Sequence, residues 1–455
     1  MSRSISPPRS RGRSARALTV TYRAVASLIL DSKNPRRHDD RQIEQLARSI
    51  ETFGFNVPVL ISADSQVLAG HGRLAAATGL GLRDVPTITI DHLNEAQRRA
   101  FAIADNALAT KAEWDPILLG EQFALLSAAD LDFDLTVTGF DVAEIDLAIQ
   151  GLTPATPDAD PDDASIQLRP PVSRLGDLWR LGPHRIVCGD ALAPAAYDLL
   201  MPGERATVAF SDPPYNVKIS TVSGKGRRQH REFAMASGEM GRREFTDFLR
   251  RACQLMTEHS TDGSIHFLCM DFRHLRELLD AGEGVYSELK NLCVWAKNNG
   301  GMGSLYRSRH ELVFVFKAGT APHQNNVALG RFGRNRTNVW EYPVPRAFGA
   351  NADDEGDLLG EHPTPKPVAM IADALMDVST RGDLVLDPFL GSGSTLIAAE
   401  RVGRIARGIE LDPRYVDLAI RRWQRQTKRS AVNLALQCTF DELEDVRLGG
   451  NHGQD

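Results

Sequence analysis

The chain has 455 residues, 42% hydrophobic and 25% charged, which excludes a mostly disordered, collagen-like or coiled-coil protein and predicts packed domains. That length exceeds what one ordinary core serves and predicts two or three domains. Fifty-three basic against 59 acidic residues leave a net charge of −6, so contact with nucleic acid must come from local basic patches and not from the field of the whole chain.

The first 30 residues carry six arginines, Arg3, Arg9, Arg11, Arg13, Arg16 and Arg23, and no acid; residues 1–17 read as a flexible basic arm. Residues 18–110 show the pattern of a smaller α+β domain. Ile43, Leu46, Ala47, Ile50 and Phe53 recur at helical spacing behind Asp40, a candidate N-cap. Strand-like runs follow at 57–61 and 66–69, then Gly70-His71-Gly72-Arg73, an Ala-rich helix, a strand at 85–90 and a helix around 95–108. Residues 111–152 continue as a helical extension. The five prolines and four aspartates of residues 153–173 predict an acidic, Pro-rich linker.

From 174 to 440, strand candidates at 207–211, 264–270, 291–297, 311–316, 383–387 and 404–411 alternate with helical patterns at 244–257, 368–376 and 415–426. Alternation of that kind predicts an α/β domain with a doubly wound, Rossmann-like sheet. Residues 441–455, acidic and Gly-rich, predict a flexible tail. Cys188, Cys253, Cys269, Cys293 and Cys438 are widely spaced with no CxxC pair, as expected of reduced thiols in a cytoplasmic protein without a metal site. No run reaches 18 apolar residues and no membrane partner is expected.

In the stretch Asp387-Pro388-Phe389-Leu390-Gly391-Ser392-Gly393-Ser394-Thr395, an apolar strand ends in a carboxylate and a glycine turn, and a helix follows. Glycines let a backbone approach a ligand closely, although a GxG turn is also an ordinary tight βα connection. The next strand ends in Gly408-Ile409-Glu410, which places Glu410 23 residues after Asp387, near the spacing at which an acid bonds ribose hydroxyls. Without a GxxxxGK[ST] run or a full GxGxxG, the pattern suits a nucleoside that lacks a pyrophosphate.

A second motif, Ser211-Asp212-Pro213-Pro214-Tyr215-Asn216, follows the strand at 207–211. Asp-Pro-Pro-Tyr occurs by chance in roughly one chain of this length in several hundred. An exocyclic adenine amine is a poor nucleophile because its lone pair is delocalised into the ring. The Asp212 carboxylate and the Pro213 carbonyl can hold its two hydrogens and favour the pyramidal form, Pro213 and Pro214 stiffen the loop, and Tyr215 offers a face for a flipped base.

Together these motifs resemble the DNA amino-methyltransferases, and their order, DPPY first and DPFLGSGST last, resembles the permuted beta group. The likeness spans roughly 175–438. It implies S-adenosylmethionine as cofactor, an S-adenosylmethionine-dependent methyltransferase sheet, Asp212, Pro213, Pro214 and Tyr215 as catalytic residues, and Asp387, Pro388, Phe389, Gly391, Ser392, Gly393, Thr395 and Glu410 around the cofactor. His362-Pro363-Thr364-Pro365-Lys366-Pro367 looks like the HPTxKP element, which implies Thr364 and Lys366 at the methionine end of the cofactor. Gly189-Asp190 looks like the GD element, whose acid, Asp190 here, bonds the adenine amine. Trp295 to Asn298 together with Arg307, His310 and Glu311 resemble a central block from which no individual role follows.

Between Asn216 and Arg251, nine basic residues against four acids leave +5 beside the base pocket. Lys218, Lys225, Arg227, Arg228 and Arg231, with Arg334 and Arg336 in a Gly/Arg/Asn-rich stretch at 319–350, are therefore candidate DNA contacts. Over about 18–108 the chain resembles the N-terminal domain of ParB-type proteins, a fold shared with sulfiredoxin, although no cysteine precedes Cys188 to support sulfiredoxin chemistry. Gly70-His71-Gly72-Arg73 stands where that family has GERR, so a nucleotide or DNA backbone at Arg73 competes with a structural turn. The DNA-binding helical domain that follows in partition proteins is not recognisable.

The reading is a methyltransferase acting on adenine N6 of double-stranded DNA, a monomer or homodimer, with an appended ParB-like module. Its rivals are cytosine-N4 methylation, whose motif usually begins with Ser, methylation of RNA, and a ParB-like regulator or nuclease with a vestigial methylase.

Overall fold

The computed structural model describes residues 18–31, 34–109, 111–129, 131–152, 170–216, 239–298, 300, 305–327, 334, 336–344 and 366–448. The chain divides into two units, Met1–Leu152 and Thr153–Asp455, each with its own sheet.

In the first unit, β1 (Val20–Ala24), β2 (Val59–Ile61), β3 (Val67–Ala69) and β4 (Asp84–Thr89) form a sheet in the order β1-β4-β2-β3. Val59, Ile61, Val67 and Val85 from these strands pack with Leu74 and Ala77 of the Ala-rich helix. The helix α1 (Asp40–Phe53) is capped by Asp39, whose carboxylate accepts from the Gln42 N–H at 2.7 Å; Asp40, the expected cap, is already helical. The helices α2 (His71–Gly79), α3 (Glu95–Ala109), α4 (Pro116–Ala128) and α5 (Val142–Gln150) follow. Asp115 caps α4 through the Ile117 and Leu118 N–H groups, with Pro116 in the first turn where its missing donor costs nothing. A Cβ at Gly120 would collide with the Ala148 carbonyl, so the absence of a side chain is what lets α4 lie against α5.

The second unit holds β5 (Leu178–Leu181), β6 (His184–Cys188), β7 (Ala206–Ser211), β8 (Ser260–Met270), β9 (Glu288–Ala296), β10 (His310–Lys317), β11 (Val339–Glu341), β12 (Leu384–Asp387), β13 (Ile405–Glu410), β14 (Val432–Asn433) and β15 (Cys438–Thr439). They make one sheet, ordered β11-β9-β10-β8-β7-β12-β13-β6-β5-β14-β15. Its centre, β8-β7-β12-β13-β6, is parallel. β12 and β13 come last of these five in the chain, yet they lie between β6 and β7. That insertion brings the two distant sequence motifs to neighbouring strand ends.

Helices cover both faces, as expected of a doubly wound α/β sheet. On one face Val208, Phe210 and Val385 pack with Met370, Leu375, Leu396, Ile397, Ile420 and Trp423 of α9 (Val368–Val378), α10 (Ser394–Val402) and α11 (Pro413–Thr427). On the other, Ala209, Leu386 and Ile409 pack with residues of α6 (Pro194–Leu200), α7 (Arg242–Glu258) and α8 (Leu275–Gly282), including Leu200, Phe245, Leu249, Met256 and Leu278. The two-residue period of β7 sorts Val208 and Phe210 from Ala209 between the two layers.

Two expectations about the ends of this unit are corrected. The tail expected from 441 begins as a helix, α12 (Phe440–Leu448), anchored by buried Phe440 and Leu443 and by Arg447, which donates to Asp177 at 2.6 Å. The expected linker stops short of 173, because Val172 is fully buried and the Val172 and Ser173 N–H groups donate to the Asp417 carboxylate at 2.6 and 2.9 Å. Residues 153–169 and 449–455 lie outside the described residues.

Candidate active site

The carboxyl ends of β6, β13, β12 and β7 lie side by side, and an acid stands at or just beyond each: Asp190, Glu410, Asp387 and Asp212. Ligands of open α/β sheets bind in the crevice outside such ends. The strands are tied there by more than the ladder. The Ser211 hydroxyl, one residue before Asp212, donates to Asp387 Oδ1 at 3.1 Å, and the Gly189 N–H donates to the Glu410 carbonyl at 2.9 Å. Asp190 Oδ1 accepts from the Leu192 N–H at 2.8 Å.

The glycine corner divides its work. Gly391 has φ +52° with open space where a Cβ would stand, and its N–H donates to Glu410 Oε2 at 2.8 Å. Gly393, at φ +87°, lies so close to Ala419 that a Cβ would come within 2.7 Å of the alanine Cβ, so its role is to seat α10 against α11. Ser392 is held from behind by the buried Arg422, which donates to its carbonyl at 2.7 Å and its hydroxyl at 3.0 Å. Pro388 is buried, Phe389 donates its N–H to Asp387 Oδ1 at 3.1 Å, and the Thr395 hydroxyl also bonds Asp387. Ser394 Oγ is buried with no partner among the described residues.

Burial pushes the Asp387 carboxyl up to about 7, against the pull of the Thr395, Phe389 and Ser211 hydrogen bonds. Burial likewise raises Glu410 to about 7, opposed by the N–H groups of Asp412 and Gly391. Two carboxyls poised near neutrality in one crevice make it a candidate functional site, and they suit a ligand with positive charge and hydroxyl donors.

Across the crevice, Tyr215 donates its hydroxyl to Asp212 Oδ1 at 2.6 Å and lies 3.3 Å from Glu311 Oε2. Lys366 Nζ is 2.6 Å from Asp212 Oδ2, 2.9 Å from Glu311 Oε2 and 3.1 Å from the Tyr215 oxygen. Lys297 in turn bonds Glu311. Burial would raise the Glu311 carboxyl, but Lys366 and Lys297 outweigh it and hold the group at about 2. Asp212 and Glu311 likewise overcome burial and raise Lys366, while burial, then Asp212 and Glu311, raise the Tyr215 phenol. Asn216, in the left-handed region at φ +52°, donates to the Met240 carbonyl at 2.8 Å and accepts from its N–H at 3.2 Å. The segment between them, 217–238, lies outside the described residues.

Asp190, Asp212, Pro213, Pro214, Tyr215, Asp387, Pro388, Phe389, Gly391, Ser392, Gly393, Thr395 and Glu410 therefore gather along one row of strand ends. Lys366 does not join the glycine corner; its ammonium is on the Asp212 side. Thr364, Lys218, Lys225, Arg227, Arg228 and Arg231 lie outside the described residues. Arg334 and Arg336 are corrected as DNA contacts. Arg334, with 3% of its side chain exposed, donates to Asp377 at 2.7 and 3.0 Å, and Arg336 bonds Asp377, Asp373 and Tyr342. Both guanidinium groups are turned onto α9, where the two acids sit one helical turn apart. Glu311, Lys297, Ser211 and Asn216 were assigned no role from sequence. Ser211 and Asn216 border the Asp212 motif, and Lys297 and Glu311 lie in the central block, but the sequence does not say which distant partner each one meets.

In the first unit, Gly70 (φ +100°) opens α2, and a Cβ at Gly72 would press on the His38 ring at 3.0 Å. His71 Nε2 and Arg73 Nε are buried without partners among the described residues, and burial lowers both groups' pKa. Among the described residues, no group of three His, Cys, Asp or Glu side chains could hold a metal, and no helix is long and apolar enough to cross a membrane.

Comparison with known proteins places three family models on the chain: the ParB N-terminal domain over 11–107, the ParB-methyltransferase HTH domain over 117–175, and DNA methylase of the N6/N4 type over 206–421. The HTH match falls where the sequence alone showed only a helical extension, and it takes in α5 and all of α4 but Pro116. The chain is 38% identical over 82 residues to the ParB-like nuclease domain-containing protein YnaK of Escherichia coli (strain K12), covering 18% of this chain and 94% of that one. It is 26% identical over 243 residues to the type II methyltransferase M.HinfI of Haemophilus influenzae, covering 49% of this chain and 64% of that protein. Among solved structures, the M1.HpyAVI–SAM complex aligns with a TM-score of 0.37 at 19% identity, over 52% of this chain and 98% of the other.

Proposed function

We propose that this chain, a DNA methylase of the N6/N4 type fused behind a ParB N-terminal domain and a ParB-methyltransferase HTH domain, methylates adenine N6 in double-stranded DNA. The observation that carries the reading is the Ser211–Asp387 hydrogen bond at 3.1 Å, which ties the start of the Asp212 loop to the glycine corner on adjacent strands. Amine acceptor and cofactor carboxylate thus share one crevice.

The residues present fit S-adenosylmethionine. Asp387 suits its ammonium, Glu410 its ribose hydroxyls and Asp190 its adenine amine, while the open side of Gly391 admits close backbone approach. Bound there, S-adenosylmethionine supplies a methyl group on a positively charged sulfur. The protein's task is to present a nucleophile. Asp212 and the Pro213 carbonyl accept the two amine hydrogens, which frees the nitrogen lone pair from the ring, and Tyr215 stacks under the extruded base. As the new N–C bond formed, the methyl–sulfur bond would break with its electron pair left on the departing S-adenosylhomocysteine, and the surplus proton of the amine would leave along the hydrogen bond to Asp212.

Duplex DNA incubated with methyl-labelled donor and digested to nucleosides should carry label in N6-methyladenine. Label in N4-methylcytosine would overturn the base assignment, and no label in DNA would overturn the activity. The motif begins with Asp212 and not Ser, which favours adenine over the cytosine-N4 reading that the family description also covers. Arg73 and the corner at Gly70 support a further proposal, that the first unit binds the phosphates of a nucleotide.

A further inference from the structure

Four charged groups alternate in a row beside the base pocket: Lys297, Glu311, Lys366 and Asp212. Each neighbour pair is in direct contact, at 2.9 Å for Glu311 with Lys366 and 2.6 Å for Lys366 with Asp212. Lys366 is 6% exposed and the Glu311 side chain 15%, whereas Asp212 keeps 34% of its side chain open. The row is therefore buried at the Lys366 and Glu311 positions and open at the carboxylate that meets the amine.

We propose that Lys366 and Glu311 are positioning residues that fix the Asp212 carboxylate for the target amine, and that Lys366 is not a cofactor contact. The inference rests on the methyltransferase reading above. A carboxylate on one rotatable bond chain is a poor template unless both oxygens are held. Here Oδ2 is held by the Lys366 ammonium and Oδ1 by the Tyr215 hydroxyl, which leaves the remaining lone pairs to face the crevice. Tyr215 is in turn fixed by Glu311 and Lys366, so stacking face and amine acceptor are set by the same two groups. Glu311 completes the device because a buried ammonium with a single, partly exposed partner would be free to move outward with it. With Lys297 on its far side, Glu311 is held between two ammonium groups.

A displacement of about 1 Å at a reacting group costs on the order of a hundredfold in rate. Lys366→Met in the full-length protein should therefore lower the single-turnover methylation rate about a hundredfold. Its dissociation constant for S-adenosylmethionine, measured by calorimetry, should stay within twofold of wild type. Glu311→Ala should lose tenfold to a hundredfold in rate at unchanged donor affinity and DNA KM, and Glu311→Gln, which keeps the acceptor for Lys366 and Tyr215, should recover most of it. A tenfold or greater rise in the donor dissociation constant for Lys366→Met would overturn the proposal and assign the lysine to the cofactor. So would rates that fall only in step with the folded fraction, read by circular dichroism at the assay temperature, or an undiminished rate. If wild-type protein transfers no methyl group to DNA, the functional reading fails first. Transfer to cytosine N4 leaves this inference intact, since that amine uses the same acceptors.

Discussion

A buried carboxyl is ordinarily ionised at neutral pH only when something compensates the charge, and at the glycine corner that compensation is incomplete. Asp387 and Glu410 are both shifted from the usual carboxylate range near ~4 up to about 7. Each is therefore neutral in the folded protein below that value, while in the unfolded chain it would ionise near ~4. Their contribution to stability is fully present below the unfolded value and is lost as pH rises through 7. Binding a cationic ligand with hydroxyl donors reverses the preference, since both favour the ionised carboxylates. Donor affinity should thus fall as pH drops from 7 to 5.5, by up to about tenfold per pH unit for each proton that must leave. Calorimetry in two buffers of different ionisation enthalpy should detect protons released on binding below pH 7, and Asp387→Asn should remove its share of the release. A flat affinity profile over that range would contradict the assignment of these two groups to the donor.

At the scale of elements, what was legible in the sequence was local. Asp212 to Tyr215 and Asp387 to Thr395 announce themselves because each needs an unusual run of residues, prolines to stiffen one turn and glycines to open the other. The alternation of strands and helices was equally readable, since a buried parallel strand and an amphipathic helix differ in period. Partnership was not. Lys366 reaches Asp212 across 154 positions and Glu311 across 55, and no local pattern encodes which charge closes on which. For the same reason a Gly/Arg/Asn-rich stretch reads as a DNA surface, although Asp373 and Asp377, on a helix that follows it, take its Arg334 and Arg336 inward. Short elements were hidden too. β14 and β15 have two residues each, and α12 carries an acidic sequence whose apolar anchors among the described residues are Phe440 and Leu443. The arginine correction has a measurable consequence. Arg334→Ala should leave two carboxylates short of a buried partner and cost about 3 kcal/mol, a melting temperature lower by roughly 5–10 °C. The salt dependence of DNA binding should not change, whereas loss of a phosphate contact would reduce its log–log slope by about 1.

For the whole molecule, the question is why a unit that matches a DNA methylase model follows segments that match a ParB N-terminal domain and a ParB-methyltransferase HTH domain. The crevice residues all belong to Thr153–Asp455, and that unit has a core on each face of its own sheet. The chemistry is therefore expected to need nothing from the first unit. Finding the duplex is another matter. A net charge of −6 gives the protein no general attraction to DNA, so affinity depends on local contacts, and a second DNA-binding element on the same chain adds to them through effective concentration. The α4 and α5 pair, with the short helical segment Leu135–Thr138 between them, falls in the HTH match and is the candidate for that element. A chain beginning at Pro170 should fold, bind S-adenosylmethionine as the full protein does, and methylate at the same single-turnover rate when DNA is saturating. Its dissociation constant for duplex DNA should rise at least about tenfold, with a shallower salt dependence because fewer phosphates are neutralised. Unchanged DNA affinity in the shortened chain would mean that the first unit serves something other than the duplex, while a lost rate at saturating DNA would mean that it completes the crevice after all.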